Sequence, residues 1–309
     1  MDTRINSLDP VSSLFISPQE LGSRLGHADA PLLLDVRPQA RFDASARMLA
    51  GAQRCSPGDV PGLAAALCAA SPHKEVVAYC VYGHHVSVDA ATALRAAGLN
   101  ARALAGGLEG GEDGVDEPQD IAQWRLAAPL AMAKRTDWGV PNIQASRWVT
   151  RARPKIDRIA CPWLIRRFID PRAEFFYVPA DKVFDEAKRL NAVAFDMPGA
   201  PVSHVGARCS FEVLTQAFSL QHAALDTLAR MVCGADTNKL DMAPESAGLL
   251  ALSLGLSQLH ADDHAMLEAA MPMYDALYAW CQNMSAAVWQ GTPKETHNWP
   301  PEAVAKGNA

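Results

Sequence analysis

The chain has 309 residues, 49% of them apolar, and a formal net charge of −6. Its length fits about two domains, and its acidity argues against general nucleic-acid binding. No apolar run reaches the ~18–20 residues that span a bilayer, and the start Met1-Asp2-Thr3-Arg4-Ile5-Asn6 has neither the basic region nor the apolar core of a signal peptide, so a soluble cytoplasmic protein is expected, with no membrane or nucleic-acid partner.

The seven cysteines are Cys55, Cys68, Cys80, Cys161, Cys209, Cys233 and Cys281. Their odd number, wide spacing and lack of a Cys-x-x-Cys pair suggest neither a disulfide framework nor a zinc ribbon. Most are expected to be small buried hydrophobes. Cys80, Cys161 and Cys209 stand in contexts that need separate arguments.

From the N-terminus, residues 1–15 read as a loose lead-in. Ser17-Pro18-Gln19-Glu20-Leu21 predicts a helix start, with a serine cap, a proline in the first turn and an acid near the positive end. Pro31-Leu32-Leu33-Leu34-Asp35-Val36-Arg37 predicts a buried strand ending in a charged pair, Asp35 and Arg37, whose expected role is structural. A short helical turn at Ala40-Arg41-Phe42 and a short strand after Gly51-Ala52 come next. Then follow a helix over 60–70, a strand over 75–80, a helix over 87–97, a strand over 100–104 and a turn at Gly106-Gly107-Leu108. Strands alternating with helices imply a parallel sheet covered on both faces.

The stretch from Val76 to Ser87 organises this half. An apolar run ends in Cys80, a six-residue loop from Val81 to Val86 follows, and a helix begins. Backbone N–H groups and the helix dipole at such a junction favour negative charge. Cys80 is therefore the candidate nucleophile, acting as a thiolate. Val81, Tyr82, Gly83, His84, His85 and Val86 are the candidate substrate-binding loop, in which the two histidines offer positive charge near neutral pH. The alternative is an inert buried cysteine in the same setting.

Leu34-Asp35-Val36-Arg37, Phe42, Gly51-Ala52, the Cys80 loop and Ala105-Gly106-Gly107-Leu108 occur in an order and spacing that resemble the rhodanese-like sulfurtransferase domain. The resemblance covers 16–110. It implies an α/β fold, a parallel sheet with flanking helices, with Cys80 as the sulfur carrier. In that mechanism the thiolate takes a sulfane sulfur from a donor such as thiosulfate, becomes a persulfide and passes the sulfur to a thiol or other thiophilic acceptor. The loop departs from rhodaneses that carry an arginine there, and the tryptophan that often follows the glycine turn is missing. Val86 stands where a Cys-x5-Arg phosphatase loop has its arginine, which weakens a phosphatase reading.

Residues 111–145 are expected to be a linker and bridging segment. Gly110-Gly111-Glu112-Asp113-Gly114-Val115-Asp116-Glu117-Pro118 is acidic, glycine-rich and without period, and 121–134 has helical composition. The second domain, 146–290, opens with the densest basic segment, containing Arg147, Arg151, Arg153, Lys155, Arg158, Arg166 and Arg167. Pro162 fits the first position of a helix that Asp170-Pro171 ends. Strands are expected over 173–178 and 192–195, an extended piece over 201–206, and a helix opening at Ser210-Phe211-Glu212. Helices over 223–233, 244–259 and 262–289 follow, making a mostly helical α+β domain. A frayed tail is expected over 291–309.

In this half, 153–168, Ser203-His204, Arg208-Cys209-Ser210-Phe211-Glu212, Gly234-Ala235-Asp236-Thr237 and 273–280 resemble the C-terminal domain of the chromate-resistance ChrB family. The resemblance implies chromate sensing or resistance, with chromate as a possible ligand. Regulators of that family carry a DNA-binding region before this domain, and here a rhodanese-like domain stands in its place.

His204, Cys209 and Glu212, with Asp157, Cys161 and Asp196 before them, are candidate ligands of a divalent metal. Their spacing fits no standard zinc pattern. A polar network, with Asp196 on an arginine and Glu212 at its own helix N-terminus, explains them equally. His260-x3-His264 has chelating spacing, but the adjacent Asp262 and Asp263 favour helix capping. Arg153, Lys155, Arg158, Arg166 and Arg167 are candidate partners of a tetrahedral dianion such as chromate, sulfate or thiosulfate, or else a solvated face with interdomain salt bridges. No flavin, nicotinamide or iron–sulfur fingerprint is present. Two functions are therefore expected to compete: a thiosulfate-type sulfurtransferase working through Cys80, and a non-enzymatic chromate or oxyanion sensor with an inactive rhodanese fold.

Overall fold

The computed structural model of the chain describes residues 14–290. The expected tail over 291–309 and all but the end of the expected lead-in lie outside them. The chain starts with β1 (Phe15–Ile16) and α1 (Pro18–Arg24). Ser17 caps α1, its Oγ accepting from the Glu20 N–H at 3.1 Å, and Pro18 occupies the first turn, where no intrahelical N–H is needed. Then come β2 (Leu32–Asp35), α2 (Gln39–Ala44), β3 (Arg47–Leu49), β4 (Gln53–Arg54), α3 (Val60–Ala70), β5 (Val76–Tyr79), α4 (His85–Ala96) and β6 (Ala101–Leu104).

β1, β6, β5, β2 and β4 form one parallel sheet in that order. β5 is its central strand and is buried throughout, which is why its run is apolar without alternation. Successive side chains nevertheless go to opposite faces. Val76, Ala78 and Cys80 pack with Val60 and Ala64 of α3 and Ala90 and Leu94 of α4. Val77 and Tyr79 join a larger core that continues into the second half of the chain.

The charged pair after β2 is structural, as expected. Asp35 and Arg37 are 0% and 1% exposed. Arg37 Nε and Nη2 donate to the Asp35 carboxylate at 2.9 and 2.6 Å. The Tyr79 hydroxyl donates to Asp35 Oδ2 at 2.9 Å and accepts from the Leu49 N–H at 3.1 Å. Burial, then the charge of Asp35, holds the Tyr79 phenol well above its ordinary range, so it stays a donor. One buried carboxylate thus ties β2, β3 and β5 together.

The bridging stretch differs from expectation. α5 spans Pro118–Leu126, and Ala131–Ala133 forms β7, antiparallel to β3. The helix cannot run to Lys134 because Pro129 lacks an N–H and biases Ala128 away from helical backbone. The segment is also no free linker. Trp124 donates its indole N–H to the Ala105 carbonyl at 2.9 Å, and Lys134 Nζ donates to the Phe42 carbonyl at 2.6 Å. It is a strap packed on the first domain.

The second half contains β8 (Arg147–Arg151), α6 (Asp157–Leu164), β9 (Glu174–Val178), α7 (Val183–Leu190) and β10 (Val193–Ala194). It ends in α8 (Ser210–Ala217), α9 (Ala223–Asp236), α10 (Ser246–Leu259) and α11 (Asp263–Gln290). The strands form a parallel sheet ordered β10-β8-β9. Pro162 does not open α6 but lies inside it. Its ring nitrogen leaves the Arg158 carbonyl without the usual i+4 donor, and the Tyr177 hydroxyl donates there at 3.3 Å. The helix then widens into a π-helical turn, Ile165–Ile169.

That turn carries Phe168 to the first domain. A Cβ at Gly26 would fall inside the Phe168 ring, so only glycine fits beneath it. His27 Nε2 and Gln282 Oε1 pair at 2.9 Å across the same boundary. Ile16, Leu21 and Leu25 share one buried core with Trp163, Phe168 and Tyr278. Among the described residues, no helix is long and apolar enough to cross a membrane.

Removing Asp35 leaves a buried guanidinium and a buried phenol without their acceptor. Asp35→Ala should therefore cost roughly 3–5 kcal/mol in urea unfolding; a loss below about 1 kcal/mol, the scale of an exposed pair, would contradict this role.

Candidate functional site

Cys80 directly follows β5, and α4 opens after the short loop. The residue is 4% exposed. Its Sγ lies 3.2 Å from Ser87 Oγ and 3.9 Å from the His84 carbonyl oxygen. Ser87 is in the first turn of α4, so the sulfur sits beside the N-terminal end of that helix. The sequence marked Ser87 only as a helix start; its contact with the sulfur depends on the helix folding back over the strand end.

The loop is held by its neighbour at backbone contact. The Leu108 N–H donates to the carbonyls of Cys80 and Val81 at 3.0 and 2.9 Å, and the Glu109 N–H donates to Val81 at 2.9 Å. Gly83 has φ +79°, and a Cβ there would stand 2.5 Å from the Gly106 nitrogen. Gly107 has φ +59°, and its Cβ would stand 2.5 Å from the Gly83 nitrogen. The glycine turn is thus the seat of the Cys80 loop. An indole does pack on this turn, from further along the chain: Trp124 covers Gly106 and Gly110.

The loop side chains separate in role. Val86 packs into the apolar core beneath the sheet end, and His85 is exposed. Val81 is half-buried, and the Tyr82 ring lies 5.9 Å from the His84 ring. His84 Nε2 is 2.8 Å from Asp116 Oδ2, and Nδ1 is 3.8 Å from Glu112. Its ring is engaged by the strap. Asp116 also accepts from the Glu112 N–H at 2.7 Å, and with His84 this keeps its carboxyl below the usual range. Tyr82, Gly83, His84, Asp116, Asp120 and Trp124 border a pocket of about 470 Å³ beside the loop; Cys80 is not among its lining residues. Asp116 was invisible as a site residue because it sits in what reads as acidic linker.

In the second domain the expected ligand trio is split. His204 Nε2 lies 3.3 Å from Asp157 Oδ2, 3.6 Å from Asp196 Oδ1 and 3.1 Å from Asp236 Oδ2. Cys209 and Glu212 instead group with Cys233. The separation has a local cause: Glu212 turns back to accept the Cys209 N–H at 3.1 Å and caps α8. Burial and Asp157 push the Cys209 thiol up, and burial and Glu212 do the same to Cys233. Cys161 is fully buried and likewise raised by burial.

Around His204, Asp157 accepts the Ser210 N–H at 2.6 Å, and Asp196 accepts the Ser210 hydroxyl at 2.8 Å. Arg158 Nε and Arg151 Nη2 stand 3.3 and 3.5 Å from Asp196 Oδ2. The hydrogen bond His204 donates to Asp157 outweighs partial burial and raises His204 to about 9. Burial, with Asp157 and Asp196 beside it, raises Asp236 to about 6.

The five basic candidates do not converge. Arg153 donates to the carbonyls of His260 and Ala261 at 2.9 and 3.0 Å. Arg158 faces Asp196, Arg166 pairs with Glu268 at 2.5 Å, and Arg167 grips Asp275 at 2.7 and 2.8 Å. Lys155 is exposed. The Asp262 carboxylate accepts the Ala265 N–H at 2.7 Å, the capping expected beside His260 and His264.

Residues 17–113 match the rhodanese-like domain, and residues 148–281 match the ChrB C-terminal domain. The protein ChrB of Cupriavidus metallidurans is 36% identical over 136 residues, a match covering 44% of this chain and 40% of that protein. The chain thus spans less than half the length of this curated relative. Among solved structures, a rhodanese-like domain protein from Staphylococcus aureus is similar at 20% identity, covering 33% of this chain and 95% of that one, with a TM-score of 0.27. Ygr203w, described as a yeast protein tyrosine phosphatase of the rhodanese family, is similar at 17% identity, covering 30% and 79%, with a TM-score of 0.26.

Gly83→Ala forces a left-handed residue against backbone and should cost more than about 1 kcal/mol in thermal or urea unfolding. Gly62→Ala, in the exposed face of α3 with open space around it, should be neutral or gain up to about 1 kcal/mol. Equal effects from the two would mean that the backbone contact at Gly83 does not hold the loop.

Proposed function

We infer, for a chain that joins a rhodanese-like domain to a ChrB C-terminal domain, that the first domain moves sulfane sulfur through a persulfide on Cys80. The observation that carries this reading is the placement of Cys80 Sγ at the end of the central strand, 3.2 Å from Ser87 Oγ in the first turn of α4. The helix end favours an anionic sulfur; the Ser87 hydroxyl beside it donates to the His84 carbonyl at 3.1 Å.

The chemistry proceeds in two displacements. The Cys80 thiolate attacks the outer sulfur of thiosulfate; the donor S–S bond breaks, and sulfite leaves with the electron pair. The resulting persulfide is itself an anion, held by the same groups. An acceptor thiolate or cyanide then attacks the outer sulfur, and Cys80 departs as thiolate. The loop supplies no arginine, and His84 is engaged by Asp116 and Glu112. Anion stabilisation therefore falls on the α4 terminus. The second domain, in this reading, links sulfur chemistry to chromate or oxidative stress.

One observation favours a second reading, a sensor without turnover: Cys80 is 4% exposed and does not line the neighbouring pocket. Intact mass after incubation with thiosulfate separates the two. Wild type should gain one sulfur, lose it to cyanide with release of thiocyanate, and Cys80→Ser should gain none. A wild-type protein that takes up no sulfur would sink the transferase reading in favour of the sensor.

A further inference from the structure

The densest set of ligand-type side chains outside the Cys80 loop lies where three elements of the second domain meet. Asp157 opens α6, Asp236 closes α9, and His204 stands on the extended segment before α8. One ligand atom from each lies within 4.8 Å of the other two. His204 Nε2 is 3.3 Å from Asp157 and 3.1 Å from Asp236. Two ligands on one tetrahedral ion with bonds of about 2.0–2.2 Å stand about 3.4 Å apart.

Proximity alone would describe a salt bridge. Asp157 adds an independent sign. It is fully buried, its Oδ2 accepts the Ser210 N–H, and its Oδ1 has no hydrogen-bond partner. A buried carboxylate oxygen without a donor is costly; His204 faces the other oxygen, Oδ2, and a cation bound by this carboxylate would offset that cost. The neighbouring Asp196 is already served by Ser210, Arg151 and Arg158. Asp157 and Asp236 have His204 as their closest charged partner, and that imidazole is 39% exposed.

We propose that Asp157, His204 and Asp236 bind one divalent first-row transition ion, of the Mn²⁺ or Zn²⁺ kind. One imidazole nitrogen and two carboxylate oxygens suit such ions and not a soft monovalent one. Three protein ligands leave a coordination position for water or an anion. Bound there, the ion would be held by the His204 imidazole and the Asp157 and Asp236 carboxylates and would supply positive charge facing those carboxylates. The nearby Cys209, Glu212 and Cys233 are the competing group; their thiols are held protonated, and Glu212 is used as a helix cap.

The test uses the full chain, purified without a histidine tag and stripped with chelator. MnCl₂ or ZnSO₄ alone is titrated by calorimetry, and thermal unfolding is recorded with and without the ion. The expected result is one ion per chain and a raised Tm. His204→Gln and Asp236→Asn should each weaken binding by roughly tenfold or more, while Cys233→Ser leaves it unchanged. Far-UV circular dichroism checks that the variants are folded, and His204, being exposed, is the substitution least able to disturb the core. Three results would overturn the assignment: no binding by wild type, binding that survives both ligand substitutions, or binding that disappears in Cys233→Ser.

Discussion

The buried carboxylate of Asp35 is the interaction on which the first domain depends. It receives three guanidinium hydrogen bonds from Arg37 and one from the Tyr79 hydroxyl. Tyr79 in turn receives the backbone of Leu49. Three strands are thereby pinned at the sheet end where Cys80 follows. Such a pair is stable because every partner is satisfied, and its loss would strand a charge away from water. The sulfur that follows Tyr79 inherits this rigidity without touching the charged groups.

The surroundings of Cys80 and of His204 differ in kind. Around Cys80 stand a helix end, the Ser87 hydroxyl and a glycine turn pressed against the loop. Its histidine is taken up by the strap rather than aimed at the sulfur. The second domain instead concentrates formal charges, with three aspartates facing two arginines and an imidazole. Backbone dipoles hold an anion that comes and goes with little reorganisation.

Much of the first domain was legible in the sequence because its signals are local. The Ser17 cap, the apolar β5 run, the loop glycine and the Gly106-Gly107 turn each declare themselves within a few residues. The structural role of Asp35 and Arg37 followed from their place at a strand end. Less could be read where distant residues decide. Trp148-Val149-Thr150 was hidden as a strand by its flanking arginines, and its partners lie in β9 and β10. Pro162 tolerates a helix interior because Tyr177, on another element, serves the carbonyl it orphans. Closeness in sequence groups His204 with Cys209 and Glu212, and the wider candidate set includes Asp157 but not Asp236. The fold pairs His204 with Asp157 and Asp236, which come from the ends of two other helices.

The seat of Phe168 on Gly26 has a consequence for how this protein can be dissected. Ile16, Leu21 and Leu25 are buried in a core that also holds Trp163 and Tyr278, and β7 of the strap completes a ladder with β3. A cut at the apparent boundary would strip that ladder and turn one continuous interior into two wet apolar faces, the kind of surface that drives fragments to aggregate. The rhodanese-like and ChrB-like parts have separate sequence signatures but a common interior. Any chemistry assayed on an excised half would belong to a different molecule.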